Sequence, residues 1–203
     1  MSDTKEQILI TALRLFAKDG YEAVSVSQIA GELGMTKGAL YKHYKNKRDI
    51  FDSIVTRMIR TDREQAQKYD VPEELFENAA ESYQQTELES IKQFTIAQYS
   101  YWTSDEFASS FRKMLTLEQY RNKEMNQLYQ SCLVSGPVQY MEDIFRAMIE
   151  NKLLREVDPR QLAIEFFAPL FLLIQMSDAN GSPEHAETVL SDLVDRFMTH
   201  YTA

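Results

Sequence analysis

The stretch from Ser25 to Tyr44, SVSQIAGELGMTKGALYKHY, contains two short helical patterns separated by a glycine. Ser25 and Gln28 have the spacing of a capping box, in which each side chain accepts a hydrogen bond from the other residue's backbone N–H. Thr36 is a suitable cap for the second helix, and Gly34 gives the turn before it backbone freedom. Apolar side chains in both segments would hold the helices together. The stretch is therefore predicted to be a helix-turn-helix.

The start of the second helix carries small or flexible residues, Thr36 to Ala39, with Gly38 among them. In a helix-turn-helix, the first residues of the second helix contact base edges in the major groove. Gly inside a helix costs about 1 kcal/mol relative to Ala, and close approach to DNA is a physical use for Gly38. Tyr41, His43 and Lys47 have donors for phosphate oxygens, which fix the register of a protein on DNA. Periodicity alone leaves open a helical hairpin packed in an ordinary core.

The rest of the chain is also predicted to be helical, which gives an all-α fold. One helix begins near Thr4, where a capping box with Gln7 is possible, and ends at Gly20. Asn46 caps another helix that runs to about Lys68. Pro137, Pro159 and Pro183 fit the first turns of later helices, with Asp158 and Ser182 as caps. The later helices are predicted at 72–83, 86–103, 105–117, 119–133, 137–152, 158–177 and 183–201.

The charge of the chain is divided unevenly along its length. Residues 1–60 carry ten Lys or Arg and seven Asp or Glu, whereas the remaining residues carry 12 and 24. Such asymmetry indicates a nucleic-acid-facing end in an acidic protein. The single cysteine, Cys132, and the three histidines, His43, His185 and His200, form no catalytic, metal-binding or cofactor-binding pattern. The chain is therefore predicted not to be an enzyme.

Two features predict a cytoplasmic protein. The first residues are polar and no short apolar core follows a basic start. The most apolar run, Leu162–Met176, holds 15 residues and contains Glu165 and Pro169, whereas a membrane helix needs about 20. A helix buried on all sides is the preferred interpretation of this run, and no contact with a membrane is expected.

Between Ile8 and Phe51 the order and spacing of residues form one recognisable pattern. Its members are Ile8, Ala12, Leu15, Phe16, Gly20, Tyr21, Ser25, Val26, Ile29, Ala30, Leu33, Gly34, Thr36, Lys37, Gly38, Leu40, Tyr41, Tyr44, Lys47, Asp49 and Ile50. This segment resembles the N-terminal domain of the TetR/AcrR family of bacterial transcriptional regulators. The resemblance implies an all-α homodimer with a three-helix DNA-binding head, residues 1–47, and a helical body, residues 48–203, that binds a small inducer.

The resemblance also implies roles for individual residues of the head. Ser27, Gln28, Lys37 and Ala39 are placed for base edges, and Gly38 for close approach. Ser25, Thr36, Tyr41, His43 and Lys47 are placed for phosphates. Two residues depart from the family pattern: a basic residue is often found at the position of Ser27 or Gln28, and Phe is usual at that of Tyr44. Lys42 and Arg48 are assigned to the solvated surface.

The body is expected to supply a dimer interface and a ligand site. The two most C-terminal helices are apolar, and the expected interface consists of Phe167, Phe171, Leu190, Leu193, Val194 and Phe197, although the same stripe would also suit a core within one protomer. Phe197→Glu or Leu193→Glu is expected to give a monomer.

The aromatic and sulfur-rich stretch 94–145 is the candidate for the ligand site, through Trp102, Phe111, Met114, Tyr120 and Tyr129, although most of these side chains also suit an ordinary core. Nearby acids, Glu87, Glu89 and Glu118, are compatible with a cationic ligand.

The function expected from these features is that of a repressor. It would bind a (pseudo)palindromic operator as a dimer and be released by a small-molecule inducer. The alternative is a DNA-bound factor whose body recruits another protein and needs no small molecule. A closed cavity among the helices of 94–145 favours the first interpretation, and a solid body with an exposed apolar patch favours the second.

Overall fold

A computed structural model describes residues 2–71, 88–180 and 185–203. Within these ranges every regular element is an α-helix, apart from one isolated β-bridge between Leu154 and Thr202. The prediction of an all-α fold is confirmed. The helices are α1 (Ser2–Asp19), α2 (Val26–Glu32), α3 (Lys37–Leu40), α4 (Lys47–Lys68), α5 (Leu88–Ser104), α6 (Glu106–Glu118), α7 (Lys123–Leu133), α8 (Ser135–Glu150), α9 (Pro159–Asn180) and α10 (Ala186–Tyr201).

The chain divides into two compact units by packing. The first comprises Met1–Thr61 and Asp105–Tyr129, and the second comprises Asp62–Ser104 and Gln130–Ala203. Helix α4 is continuous, although its residues are shared between the units at Thr61 and Asp62. This grouping describes packing, so the functional division after residue 47 stays a prediction.

The core of the first unit is formed where α1 packs against α6. Ile8, Ala12 and Phe16 are fully buried on one side of α1. On α6, Phe111 and Met114 are fully buried. Because these helices are far apart in the sequence, the packing attaches a segment of the predicted body to the predicted head.

In the second unit α9 packs against α8 and α10, and α5 packs against both α9 and α10. Phe145, Phe166 and Phe197 form an aromatic cluster at its centre. Their ring centroids are 5.1–5.4 Å apart, within the range in which aromatic pairs attract one another. The C-terminus is tied down by two backbone hydrogen bonds, one from Arg155 N–H to the carbonyl of Tyr201 at 2.8 Å and one from Ala203 N–H to that of Leu153 at 3.2 Å.

Several predicted helix ends are correct. Gly20 and Gly34 have φ angles of +88° and +64°, the left-handed conformation expected where these helices stop. Asn46 Oδ1 accepts a hydrogen bond from Asp49 N–H at 2.9 Å, and Asp158 Oδ1 accepts one from Gln161 N–H at 2.8 Å, so both act as predicted caps. The predicted helix 72–83, together with Ser182 and Pro183, lies outside the described residues.

Other predicted ends are wrong. Helix α1 begins at Ser2, so Thr4 lies inside it and is not its cap. Helix α7 begins at Lys123 instead of 119, because Asn122 Oδ1 accepts hydrogen bonds from Glu124 N–H and Met125 N–H and caps the helix there. Helix α8 begins at Ser135, two residues before Pro137, which still falls in its first turn.

Helix α9 is not buried on all sides, contrary to the prediction. Leu162, Phe166 and Leu170 are buried, whereas Ile164 is 51% and Leu172 60% exposed. Among the described helices, the 20-residue segment Pro159–Asp178 has the length and apolar composition of a helix that could cross a membrane. About a third of this segment is buried inside the protein. The exposed side of α9 therefore presents apolar surface in this protomer.

Candidate nucleic-acid interface

Both ends of the Ser25–Gln28 capping box are formed. Ser25 Oγ accepts a hydrogen bond from Gln28 N–H at 3.2 Å, and Gln28 Oε1 accepts one from Ser25 N–H at 2.7 Å. The box fixes the start of α2, and Val26, Ile29 and Ala30 bury its inner side. Ser27 is exposed on the outer side. The side chain of Gln28 is therefore engaged with the backbone, whereas that of Ser27 faces solvent.

Helix α3 begins as predicted and ends earlier. Thr36 Oγ1 accepts a hydrogen bond from Ala39 N–H at 3.1 Å, which confirms the cap. The helix was predicted to reach about Tyr44 but covers Lys37–Leu40, because the following residues form a tighter turn. Lys42 N–H and His43 N–H bond the carbonyls three residues earlier, the pattern of a 3₁₀ turn.

Gly38 has no packing reason to be glycine. Within the described part of the chain, a Cβ added at this position would meet only Thr36 Oγ1, at 3.9 Å, which is ordinary contact. The backbone there is helical and Gly38 is exposed. An exposed helical glycine lowers stability by about 1 kcal/mol relative to alanine. Nothing in the described packing around this position requires a glycine.

Most of the residues predicted to contact DNA are exposed on α2, on α3 or in the turns beside them. Lys37 Nζ lies 5.7 Å from the ring centroid of Tyr41, and Tyr41 is 44% exposed. Ala39 and His43 are half-buried. The exposed members of the predicted set are Ser25, Ser27, Gln28, Thr36, Lys37, Gly38 and Tyr41.

Lys47 is placed differently from this exposed set. It is the first residue of α4 and half-buried. Its Nζ donates to the backbone carbonyls of Tyr21 at 2.8 Å and Glu22 at 3.4 Å, and lies 4.3 Å from the Tyr21 ring centroid. The Tyr21 ring in turn packs between Phe16 and Phe51, with centroid distances of 5.1 and 5.2 Å.

Arg48 is also engaged inside the first unit. Its Nε donates to Asp52 at 2.6 Å, and its two Nη atoms donate to the carboxylate of Glu124 at 2.8 and 2.5 Å. The hydrogen bonds with Glu124 raise the pKa of Arg48, and the same bonds lower the pKa of Glu124. This bidentate pair attaches the start of α4 to the start of α7.

The sequence did not predict the contact made by Tyr44, the residue that departs from the family's usual Phe. Its hydroxyl donates to the carbonyl of Lys5 at 3.2 Å, and Lys5 Nζ lies 5.1 Å from its ring centroid. Burial raises the pKa of Tyr44. The hydroxyl therefore joins the end of the helix-turn-helix to α1, a contact that a phenylalanine could not make.

The predicted ligand residues are distributed over both units. Trp102 is buried in the second unit, whereas Phe111, Met114 and Tyr129 are buried in the first. Tyr120 is 88% exposed, in the turn after α6. Of the predicted acids, Glu118 is buried in the first unit, with its Oε1 3.3 Å from Arg121 Nη1. Glu89 is exposed. Glu87 lies outside the described residues.

The predicted dimer residues fall into two groups. Leu190, Val194 and Phe197 are buried within the second unit, whereas Phe167, Phe171 and Leu193 are half-buried. An open groove of about 380 Å³ lies between α9 and α10. Its lining includes Pro169, Leu193 and His200.

Residues 8–54 match the sequence pattern described as bacterial regulatory proteins, tetR family. They include the capped α2 and α3 and the first part of α4. This segment is similar to the N-terminal domain of TetR-family regulators. The resemblance predicted from the sequence is thereby confirmed for this segment, and the proteins that the pattern describes are regulators.

Known transcriptional regulators share the N-terminal segment of this chain. The transcriptional regulator AcrR of Shigella flexneri is 44% identical over 52 residues, which are 26% of this chain and 24% of AcrR. The transcriptional repressor BepR of Brucella suis is 36% identical over 77 residues, 36% of this chain and 37% of BepR. The similarity therefore spans little more than a third of these relatives at most.

Solved TetR-family structures resemble the whole chain in fold. SmeT, the repressor of a multidrug efflux pump of Stenotrophomonas maltophilia, in a complex with triclosan, is 20% identical with a TM-score of 0.66, covering 98% of this chain and 92% of SmeT. A transcriptional regulator from Saccharomonospora viridis in complex with choline is 19% identical with a TM-score of 0.63, covering both chains fully. At these identities the likeness concerns the fold alone.

Proposed function

We propose that this protein regulates transcription by binding a two-fold symmetric site on duplex DNA as a homodimer, and that a small molecule releases it. The observation that carries the proposal is the exposed start of α3, where Gly38 has no internal role and Lys37 and Tyr41 stand beside it. Such a surface fits the major groove, because a glycine lets the helix backbone approach the bases closely. The match of residues 8–54 to the pattern of tetR-family regulatory proteins supports the same function.

Within this interface, the exposed side chains have different tasks. Lys37 is the best candidate for reading bases, since an exposed ammonium at the start of a recognition helix can donate to guanine O6 and N7. Ser27 and Ala39 are placed for neighbouring base edges, and Thr36, Tyr41 and His43 for phosphates. Ser25 fixes the start of α2. Gln28 holds the other half of its box, so reading a base with Gln28 would require that bond to open.

The exposed apolar stripe of α9 is the proposed dimer interface. Ile164, Leu172 and Met176 are 51%, 60% and 48% exposed, and the residues recur at intervals of eight and four along the helix. Phe167, Phe171 and Leu193 contribute their exposed edges. Large apolar side chains exposed together mark a surface that is covered in the functional assembly. We place Leu190, Val194 and Phe197 behind this interface, in the core that supports it.

The dimer gives the mechanism its geometry. Two recognition helices must lie about 34–36 Å apart, or at a related spacing, to enter successive major grooves on one side of DNA. Helix α4 is unbroken from the end of the helix-turn-helix to residues of the second unit, so it is suited to act as a lever. A ligand releases the protein if it binds more tightly to an arrangement with the wrong spacing.

The proposed ligand site uses the buried side of α5. The hydroxyl of Tyr99 is buried and has no hydrogen-bond partner among residues 2–71, 88–180 and 185–203. Gln98 and Trp102 are buried beside it on the same helix. An unpaired buried hydroxyl lowers stability by about 1–3 kcal/mol, and a ligand that supplies the partner recovers this loss. Triclosan and choline, which are bound by the SmeT and Saccharomonospora viridis proteins, are the first probes.

Tyr99→Phe should have opposite effects on stability and ligand response. Removing an unpaired hydroxyl is expected to leave the melting temperature of the free protein unchanged or higher. A compound that binds the wild type should bind the variant with a Kd at least about tenfold higher. Thermal unfolding over a titration of each probe measures both effects. Tyr101→Phe, on the same helix, is the control. Equal ligand affinity in wild type and Tyr99→Phe would show that the Tyr99 hydroxyl does not bind the ligand.

The DNA-binding proposal is tested by selecting bound fragments from genomic DNA. A recurrent motif with two-fold symmetry is expected, because a symmetric dimer presents the same surface to both half-sites. Genes beside the selected sites would suggest the class of ligand. Recovery of fragments without any common motif would contradict specific binding. A specific motif together with indifference to all small molecules would favour the factor that recruits a protein partner.

A further inference from the structure

We infer that the small molecule bound by the body is an organic cation, an amine or a quaternary ammonium, and that Asp62 supplies its counter-charge. The inference rests on the proposed function and deepens it, because it names the chemical class of the ligand. Asp62 lies on α4, in the part of this helix that belongs to the second unit. The sequence had suggested other acids for a cationic ligand.

Asp62 interrupts a buried apolar side of α4. Met58 and Ala66 lie four positions before and after it, which places them about 40° to either side of it around the helix. Met58 is 3% and Ala66 7% exposed, and Asp62 between them is half-buried. A carboxylate therefore stands on a side of the helix whose neighbouring members are apolar and packed against other parts of the chain.

The Asp62 carboxylate forms no hydrogen bond or ion pair within residues 2–71, 88–180 and 185–203. Residues 72–87 and 181–184 contain no Lys, Arg or His, so these segments offer no counter-charge either. Burial raises the pKa of Asp62 to about 6, and at about pH 7 the group is still mostly ionised. Because a buried carboxylate is unfavourable unless it is paired, a cation from outside the chain would stabilise it.

Aromatic side chains continue the side of α4 that carries Asp62. Tyr69 is seven positions further on, two helical turns or about 10 Å along the axis. Its ring centroid lies 6.2 Å from that of Phe94 on α5, and the Phe94 centroid lies 6.3 Å from that of Tyr140. Aromatic rings attract organic cations to their faces. Since the described residues contain no group of three side chains suited to a metal ion, an organic cation fits this side of α4 better than a metal.

The test compares two molecules of nearly the same shape and different charge. Choline carries a trimethylammonium group, and its neutral analogue is the alcohol with a tert-butyl group in that place. Benzyltrimethylammonium is a second, larger cation. At least one of the two cations is expected to raise the melting temperature of the wild type and to release it from a selected genomic site. The neutral alcohol is expected to do neither at the same concentration.

Asp62→Asn is expected to bind the active cation with a Kd at least about tenfold higher, because the ligand loses its buried counter-charge. The melting temperature of the free variant should be unchanged or higher near pH 7, since an unpaired charge has been removed. Glu64→Gln is the matched control, because it removes one negative charge from an exposed position on the same helix. It should bind the cation like the wild type. If Asp62→Asn does not fold, Asp62→Leu provides the same comparison.

A wild type that responds to neither cation, or equally to choline and to its neutral analogue, would overturn the inference. An equal Kd for the cation in wild type and Asp62→Asn would overturn it too. Release from DNA by triclosan alone would refute the cationic ligand and leave the proposed function standing. Failure to bind any DNA would instead refute the proposed function, while the thermal titrations would still decide whether Asp62 binds a cation.

Discussion

Leu172→Glu is expected to convert the dimer into a monomer and to raise the Kd for a selected genomic site by at least about 100-fold. Leu172 is 60% exposed in the protomer, so the substitution leaves the core of the second unit intact. In the dimer, the carboxylate would be buried against apolar side chains, where an unpaired charge is strongly unfavourable. A monomer contacts one half-site, and loss of several base pairs at 1–3 kcal/mol each accounts for the expected factor.

Sedimentation velocity at micromolar concentration measures the change in assembly, and DNA binding is measured on the same samples. Gln139→Glu is the matched control, because it adds the same charge to an exposed position on α8. Leu193→Glu should act like Leu172→Glu. Phe197→Glu is a poor test, since Phe197 is buried in the aromatic cluster and its loss would misfold the unit. A Leu172→Glu protein that remains dimeric would show that α9 does not form the interface.

Substitutions at Gly38 should increase stability and decrease DNA affinity. Gly38→Ala is expected to stabilise the protein by up to about 1 kcal/mol, because the helix gains an alanine and the added Cβ meets only Thr36 Oγ1 at 3.9 Å. Gly38→Leu should fold equally well but hold the helix away from the bases. We expect it to weaken binding to the selected site by about 10- to 100-fold, the value of one or two base contacts.

Gly31→Ala is the control for these substitutions. Gly31 is also exposed and helical, and a Cβ there would meet no atom within 4 Å. It should therefore raise stability in the same way without changing DNA affinity. Chemical denaturation and a DNA titration of the four proteins separate the two effects. Full affinity in Gly38→Leu would mean that the start of α3 does not approach the bases.

Local signals in the sequence predicted the head well. The Ser25–Gln28 box, the Thr36 cap and the Asn46 cap join residues three positions apart, so their geometry follows from the helix itself. The ends of helices at Gly20 and Gly34 follow from backbone conformation in the same way. These features also placed Lys37 and Gly38 at the exposed start of α3.

Contacts between distant residues were not predictable from these signals. Lys47 reaches carbonyls 26 and 25 positions earlier, and the resemblance assigned it to phosphates. No periodicity shows which acceptor a lysine will find. The unpaired hydroxyl of Tyr99 is similarly invisible in a sequence, because it depends on every side chain packed around α5.

Periodicity also could not determine which partner covers an apolar stripe. Phe197 and Leu172 are both apolar residues at helical spacing, yet one lies in the core of its own unit and the other is exposed. The difference arises because α8 and α5 pack against α9, and α5 also against α10, while Leu172 lies on a part of α9 that stays exposed. The sequence therefore predicted that both helices are apolar, but not which of their residues lie in the core and which are exposed.

The central claim is that the head reads a specific duplex sequence. The most direct measurement is the fluorescence anisotropy of a labelled genomic site titrated with the protein, beside a duplex of the same composition in scrambled order, from about 50 to 200 mM salt. We predict binding to the selected site at least about 1,000-fold tighter than to the scrambled duplex, and a fall in affinity of more than about tenfold across that range. Equal affinity for the two duplexes, or an affinity independent of salt, would contradict the account.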